Sequence, residues 1–161
     1  MSVLVSHRKE SKLEVIIHAE EIHDMLWDLA SRDFGIKDPY NFVRKRYDTA
    51  KAKDKDYETY LYLLIDHKQH INELTKMLLM YLRAANSLYP TTLHEYEIRR
   101  DNQNYAIVTC EQLIAELQMI VEEFEIDINP YGLYISAIDR EIVLIKKWRQ
   151  RDNKLKSSIV G

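Results

Sequence analysis

Few residues in this chain have the type and spacing to do chemistry. Glu20 and His23 form one E-x-x-H pair, the unit from which carboxylate-bridged di-iron bundles are built, but that centre needs a second such pair on another helix and the sequence has none. His67 and His70 stand three apart, so one ion could touch both, yet no third ligand is evident nearby. Its place on the seam favours His67 as a core histidine hydrogen-bonded to a neighbouring helix. The single cysteine, Cys110, lies between Ala106 and Leu113 on an apolar seam, which predicts neither the exposure nor the electropositive setting of a nucleophile. No Gly-rich phosphate loop, H-E-x-x-H run or Ser/His/Asp signature occurs. The sequence therefore predicts no catalytic residues, no metal and no cofactor.

Charge is more informative than nucleophiles. Arg44 to Lys55 holds six Lys/Arg and two Asp, a local +4, and Lys146 to Lys156 holds six Lys/Arg and one Asp, a local +5. Glu111 to Asp127 holds six acids and no base. Two basic tracts, one containing Trp148, are the footprint of a phosphate-backbone contact with an aromatic available for stacking. Trp148 also completes an apolar seam, which favours packing. Solvated charged faces are the alternative for both tracts. The run Arg99-Arg100-Asp101-Asn102-Gln103-Asn104 places Arg99 and Gln103 on a seam as well. It reads either as a buried polar layer, with Arg99 or Arg100 paired to an acid such as Asp139 or Glu141, or as a contact with a partner.

The elements that must carry these residues are helices. Tyr96, Arg99, Gln103, Ala106, Cys110, Leu113, Leu117, Ile120 and Phe124 recur at three- and four-residue steps between Thr92 and Phe124, with no Gly or Pro. That is a helix of roughly 50 Å, which other helices must cover. Ser11-Lys12-Leu13-Glu14 has the form of a capping box and predicts a first helix from there, after a mobile arm over residues 1–10. Its seam is Val15, Ala19, Ile22, Met25/Leu26 and Leu29, widened by Ile16, Ile17 and Trp27, and Gly35 is its expected left-handed stop. Residues 39–55 read as a short basic insert. A second helix from about Asp56 to Tyr89 carries Tyr60, Leu64, His67, Ile71, Leu74, Leu78, Tyr81 and Ala85. Thr92-Leu93-His94-Glu95 is a second capping box, opening the central helix. Asn129-Pro130 opens the last helix, with Tyr131, Tyr134/Ile135, Ile138, Ile142, Ile145 and Trp148 along its seam and fraying expected over 154–161.

Four long helices and short turns predict an all-α, up-down-up-down four-helix bundle in one domain spanning 1–161. Three Gly, three Pro and 46% hydrophobic residues suit that architecture. A net charge of −3 gives no global case for nucleic acid, so any such contact must be local. One cysteine, no apolar run approaching 18 residues and no signal-peptide core predict a cytoplasmic protein without a membrane segment.

The runs Ser6–Glu14, Ser31-Arg-Asp-Phe-Gly-Ile-Lys37, Arg99-Arg-Asp-Asn-Gln-Asn-Tyr-Ala-Ile107 with Cys110-Glu-Gln-Leu113, Ile138-Asp-Arg-Glu-Ile142 and Lys147-Trp-Arg-Gln-Arg-Asp-Asn-Lys154 give the chain a resemblance to a known family. It resembles the accessory four-helix-bundle proteins of diversity-generating retroelements, themselves similar to proteins encoded by intervening sequences of bacterial 23S ribosomal RNA genes. The resemblance implies a non-catalytic homo-oligomer that associates with a reverse transcriptase and with template RNA or DNA. It implies a basic surface made here of Arg44, Lys45, Arg46, Lys51, Lys53, Lys147, Arg149, Arg151 and Lys154, with Arg99 and Arg100 at an inter-subunit or polymerase contact. The acidic total departs from the family's basic character, and a structural bundle with protein partners only is the alternative.

Overall fold

The computed structural model describes residues 2–37 and 53–160, with side chains described over 14–37 and 57–159. Four long helices form the bundle: α1 (Ser2–Ser31), α2 (Lys53–Ser87), α3 (Leu93–Phe124) and α4 (Gly132–Arg151), with a short α5 (Asn153–Val160) continuing past α4. No strand occurs among the described residues. α1 packs on α2, α2 on α3, α3 on α4, and α4 back on α1, which closes the square of an up-down-up-down bundle.

The apolar periodicity dictates this packing. Every one of the nine seam residues of α3, from Tyr96 to Phe124, is buried. Their three- and four-residue steps hold one stripe against the other three helices. Val15, Ala19, Ile22, Leu26 and Leu29 of α1 meet that stripe, as do Leu64, Ile71, Leu74, Leu78 and Ala85 of α2 and Ile138, Ile145 and Trp148 of α4. Ile17 and Trp27, which the sequence places on the apolar face of α1, are instead exposed. The stripe of α1 is narrower because two neighbours cover only part of its circumference.

The helix ends differ from expectation in instructive ways. α1 is already helical at Ser2, so Ser11–Glu14 lies inside the helix and residues 2–10 are not an irregular arm. Nothing between Ser2 and Ser31 breaks a helix, and extension costs little once a helix is nucleated. α1 stops in a left-handed turn in which Asp33 (φ 52°), Phe34 (φ 57°) and Gly35 (φ 80°) all take positive φ. Only Gly35 does so without steric cost. Phe34 is held there because its ring is wholly buried and its carbonyl accepts a 2.6 Å bond from the Tyr131 hydroxyl. The Thr92 box forms as predicted: Thr92 Oγ1 accepts from Glu95 N–H at 3.1 Å, while Glu95 Oε1 accepts from the Thr91 hydroxyl at 2.6 Å. At the last turn no side chain caps α4, which starts at Gly132 after a short 3₁₀ turn over Asn129–Tyr131; Asp127 Oδ1 accepts from Asn129 N–H at 3.1 Å within the connection. Residues 153–160 are helical rather than frayed. Of the insert expected over 39–55, only the last three residues are described, and they form the start of α2.

Candidate functional site at the C-terminal end of α4

The polar run at the start of α3 meets the end of α4, and Asp152 is its focus. Arg99 Nε and Nη2 donate to the two Asp152 carboxylate oxygens at 2.7 and 3.1 Å, and Gln103 Nε2 donates to Oδ2 at 2.8 Å. Arg99 Nη1 reaches the carbonyls of Ala85 and Leu88, both at 3.1 Å, at the C-terminal end of α2. Those carbonyls lack helical partners, and a cation there also meets the negative end of the helix dipole. The guanidinium lies 5.0 Å from the Trp148 ring centre, so the residue, 2% exposed, touches α2, α3 and α4 at once. Beside it Arg100 Nη2 donates to the Tyr96 hydroxyl, the Arg149 carbonyl (2.9 Å) and Asn153 Oδ1 (2.8 Å). Arg149 Nη1 donates to Asn104 Oδ1 at 2.8 Å.

This geometry decides between the two readings of the arginine run. Arg99 and Arg100 are engaged within the chain as a register-fixing polar layer, and the acid is Asp152 in place of Asp139 or Glu141. Arg99, 2% exposed, offers almost no surface to a partner, whereas Arg100 is half-buried and bonds within the chain through Nη2 alone. Trp148 is buried beneath Arg99 and offers no ring to a base.

The basic residues separate into groups. Lys147, Arg151 and Lys154 line an open groove of about 700 Å³ between α1 and α4, together with Gln150, Asn153 and Glu14. None of the three makes an ion pair with another described residue, and Glu14 is the one acid among the described residues that line the groove. Arg149 is one hundred degrees round the helix from Gln150 and turns to α3 instead. Arg44, Lys45, Arg46 and Lys51 lie outside the described residues. Lys53 opens α2 at the other end of the bundle, beyond Tyr60, whose ring packs edge-on against Phe124 at 5.8 Å. From Tyr131, at that same end, to the Lys147–Lys154 groove is about 25–35 Å of helix rise. The groove and the start of α2 therefore cannot form one continuous patch.

Two further groups of titratable residues lie in the core, and His67 is the helix-bonded core histidine expected from its place on the seam. His67 is clamped between α3 carboxylates, Nδ1 to Glu116 at 2.6 Å and Nε2 to Glu123 at 2.8 Å, and His70 Nδ1 reaches the other Glu116 oxygen at 2.9 Å. Burial alone would lower the pKa of His67, but two carboxylates accepting from both ring nitrogens outweigh it and hold it above the usual histidine value. The same bonds hold Glu116 below its ordinary value against its own burial. Among the described residues no group of three or more His, Cys, Asp or Glu is disposed to hold a metal ion. Glu141 is fully buried in α4 with neither carboxylate oxygen hydrogen-bonded, and burial, reinforced by Glu14, pushes its pKa up to about 8. Cys110 is buried near it. Burial first, then Glu141 and Glu111, raises the thiol pKa, which leaves no thiolate at neutral pH.

The only sequence cue to the histidine clamp was the position of His67 on the α2 seam. Its carboxylate partners follow from the antiparallel register of α2 on α3, which spacing within one helix does not contain. Comparisons with protein-family models, curated proteins and solved structures find no match to this chain. No helix among the described residues is long and apolar enough to cross a membrane.

Proposed function

We propose that this protein is a non-catalytic accessory bundle that binds the phosphate backbone of nucleic acid along the α1–α4 groove. The observation that carries the reading is the alignment of Lys147, Arg151 and Lys154 on one open face, where none of them makes an ion pair with another described residue. Residues at i, i+4 and i+7 share one side of a helix, so three cations follow a strand over roughly 10 Å. With Trp148 buried, the contact is electrostatic and sequence-tolerant. The resemblance to retroelement accessory proteins supports a reverse transcriptase as the enzyme beside which it acts, with the template RNA or DNA as ligand, in the cytoplasm and as a homo-oligomer.

The test is charge reversal. K147E combined with R151E should weaken binding to labelled single-stranded RNA at least tenfold at low salt. Unchanged affinity would remove the groove from the account. A second reading, a bundle with protein partners only, draws on the exposed apolar residues of α3 and predicts negligible RNA affinity for the wild-type chain at physiological salt.

A further inference from the structure

The side of α3 that faces away from the core carries a second apolar stripe. Ile98, Tyr105, Val108, Ala115 and Met119 are exposed there, with Tyr105, Val108 and Met119 at 54%, 48% and 53%. Together with exposed Asp101 and Glu122 and with Gln112, they stand at 98, 101, 105, 108, 112, 115, 119 and 122, the alternating three- and four-residue step of a coiled-coil seam. From Ile98 to Met119 the stripe runs about 30 Å, or six turns. Tyr105 is fixed in place by the Tyr81 ring of α2, 5.4 Å away, so an incoming group meets an aromatic already ordered.

The exposed charges that α3 itself places along this stripe are acidic. Glu97, Asp101, Glu111 and Glu122 of α3 are exposed. The helix has three basic residues, His94, Arg99 and Arg100, all in its first two turns. Arg99 and Arg100 are bonded inside the bundle, and from Asp101 to Phe124 there is no base at all. A second copy laid on this face, parallel or antiparallel, sets acids opposite acids along most of its length, which disfavours self-association. A helix with an apolar seam flanked by Lys or Arg satisfies both the spacing and the charge.

We propose that the outward face of α3, from Ile98 to Glu122, is a docking surface for a basic amphipathic helix of about 20 residues from a different protein. Val108 and Met119 supply the apolar contact, while Glu111 beside the seam and Glu122 at its C-terminal end select basic groups on the incoming helix. This surface is separate from the α1–α4 groove, and its occupancy does not depend on nucleic acid.

Two synthetic 21-residue helical peptides, with Leu at both seam positions and either Lys or Glu at the flanking positions, test the assignment by isothermal titration against the full chain. The Lys-flanked peptide is expected to bind at least tenfold more tightly than the Glu-flanked one. V108S with M119S should lose at least tenfold of that affinity, and E111Q with E122Q should remove most of its salt dependence. All four positions are exposed, so circular dichroism should report intact helices. K147E with R151E should leave peptide binding unchanged while affecting RNA, which separates this surface from the groove. Equal affinity for the two peptides would overturn the proposal, as would insensitivity to V108S with M119S. So would sedimentation showing a wild-type self-association that these serines abolish, since the occupant would then be a second copy.

Discussion

At the residue scale, Arg99 is the most committed side chain in the molecule. Removing it leaves the buried Asp152 carboxylate without its chelating partner and two α2 carbonyls without donors, a change of the kind that costs about 3–5 kcal/mol. Arg99→Ala should lower the urea midpoint accordingly, whereas Arg99→Lys, which cannot chelate, should recover only part of the loss. Chemical denaturation followed by circular dichroism measures both. Glu141 and His67 set the pH dependence. Glu141 is protonated in the folded protein up to a pKa of about 8 and ionises near its ordinary value of 4.5 when unfolded. Folding therefore takes up a proton between those limits, and stability falls as pH rises from about 4.5 through 8. The His67 clamp acts in the same direction: its contribution is complete below the unfolded histidine pKa and is lost as pH rises through the raised folded value. The wild-type melting temperature should thus decline from pH 6 to pH 9. Glu141→Gln should flatten the part of that decline due to ionisation of the buried carboxyl, and an unchanged slope in that variant would show that Glu141 is not the titrating group.

At the element scale, the helices were legible because burial in a bundle follows the 3.6-residue period with little interference. The α3 seam, the α2 seam except at Tyr81, where Leu82 takes the core position, and the Thr92 capping box read directly from spacing. Replacing Thr92 by Ala removes an acceptor from the first turn of α3 and should cost about 1 kcal/mol, visible as a small drop in melting temperature. What spacing could not supply was pairing between elements. Asp152 as partner of Arg99, and Glu116 and Glu123 as partners of His67, depend on how antiparallel helices register, so no window within one helix contains them. The left-handed conformations of Asp33 and Phe34 were hidden for a related reason. Tertiary contacts, the Tyr131 hydroxyl on the Phe34 carbonyl and the Lys68 ammonium 2.7 Å from Asp33, hold residues where local propensity disfavours them. Exposure of Ile17 and Trp27 reflects the same limit, since apolar type marks where burial is possible and the neighbouring helix decides where it happens.

At the scale of the whole molecule, charge is sorted by end and by face. The α1–α4 groove carries the cations of the C-terminal tract, while α3 beyond Arg100 is acidic and carries its apolar stripe to solvent. The sequence showed that basic tracts exist, but it could not show that Arg149 turns inward to Asn104, nor that α2 begins at the end opposite the groove. Two faces of different character suit a protein that bridges a nucleic acid and a polypeptide. The most direct test of the nucleic-acid half is the salt dependence of wild-type binding to single-stranded RNA, followed by fluorescence anisotropy between about 50 and 200 mM salt. Three phosphate contacts predict a log–log slope of roughly −2, at about 0.7 per contact, reduced toward zero in K147E with R151E. A wild-type slope near zero, or no binding at the lower salt, would contradict the account and leave the bundle as a protein-only scaffold.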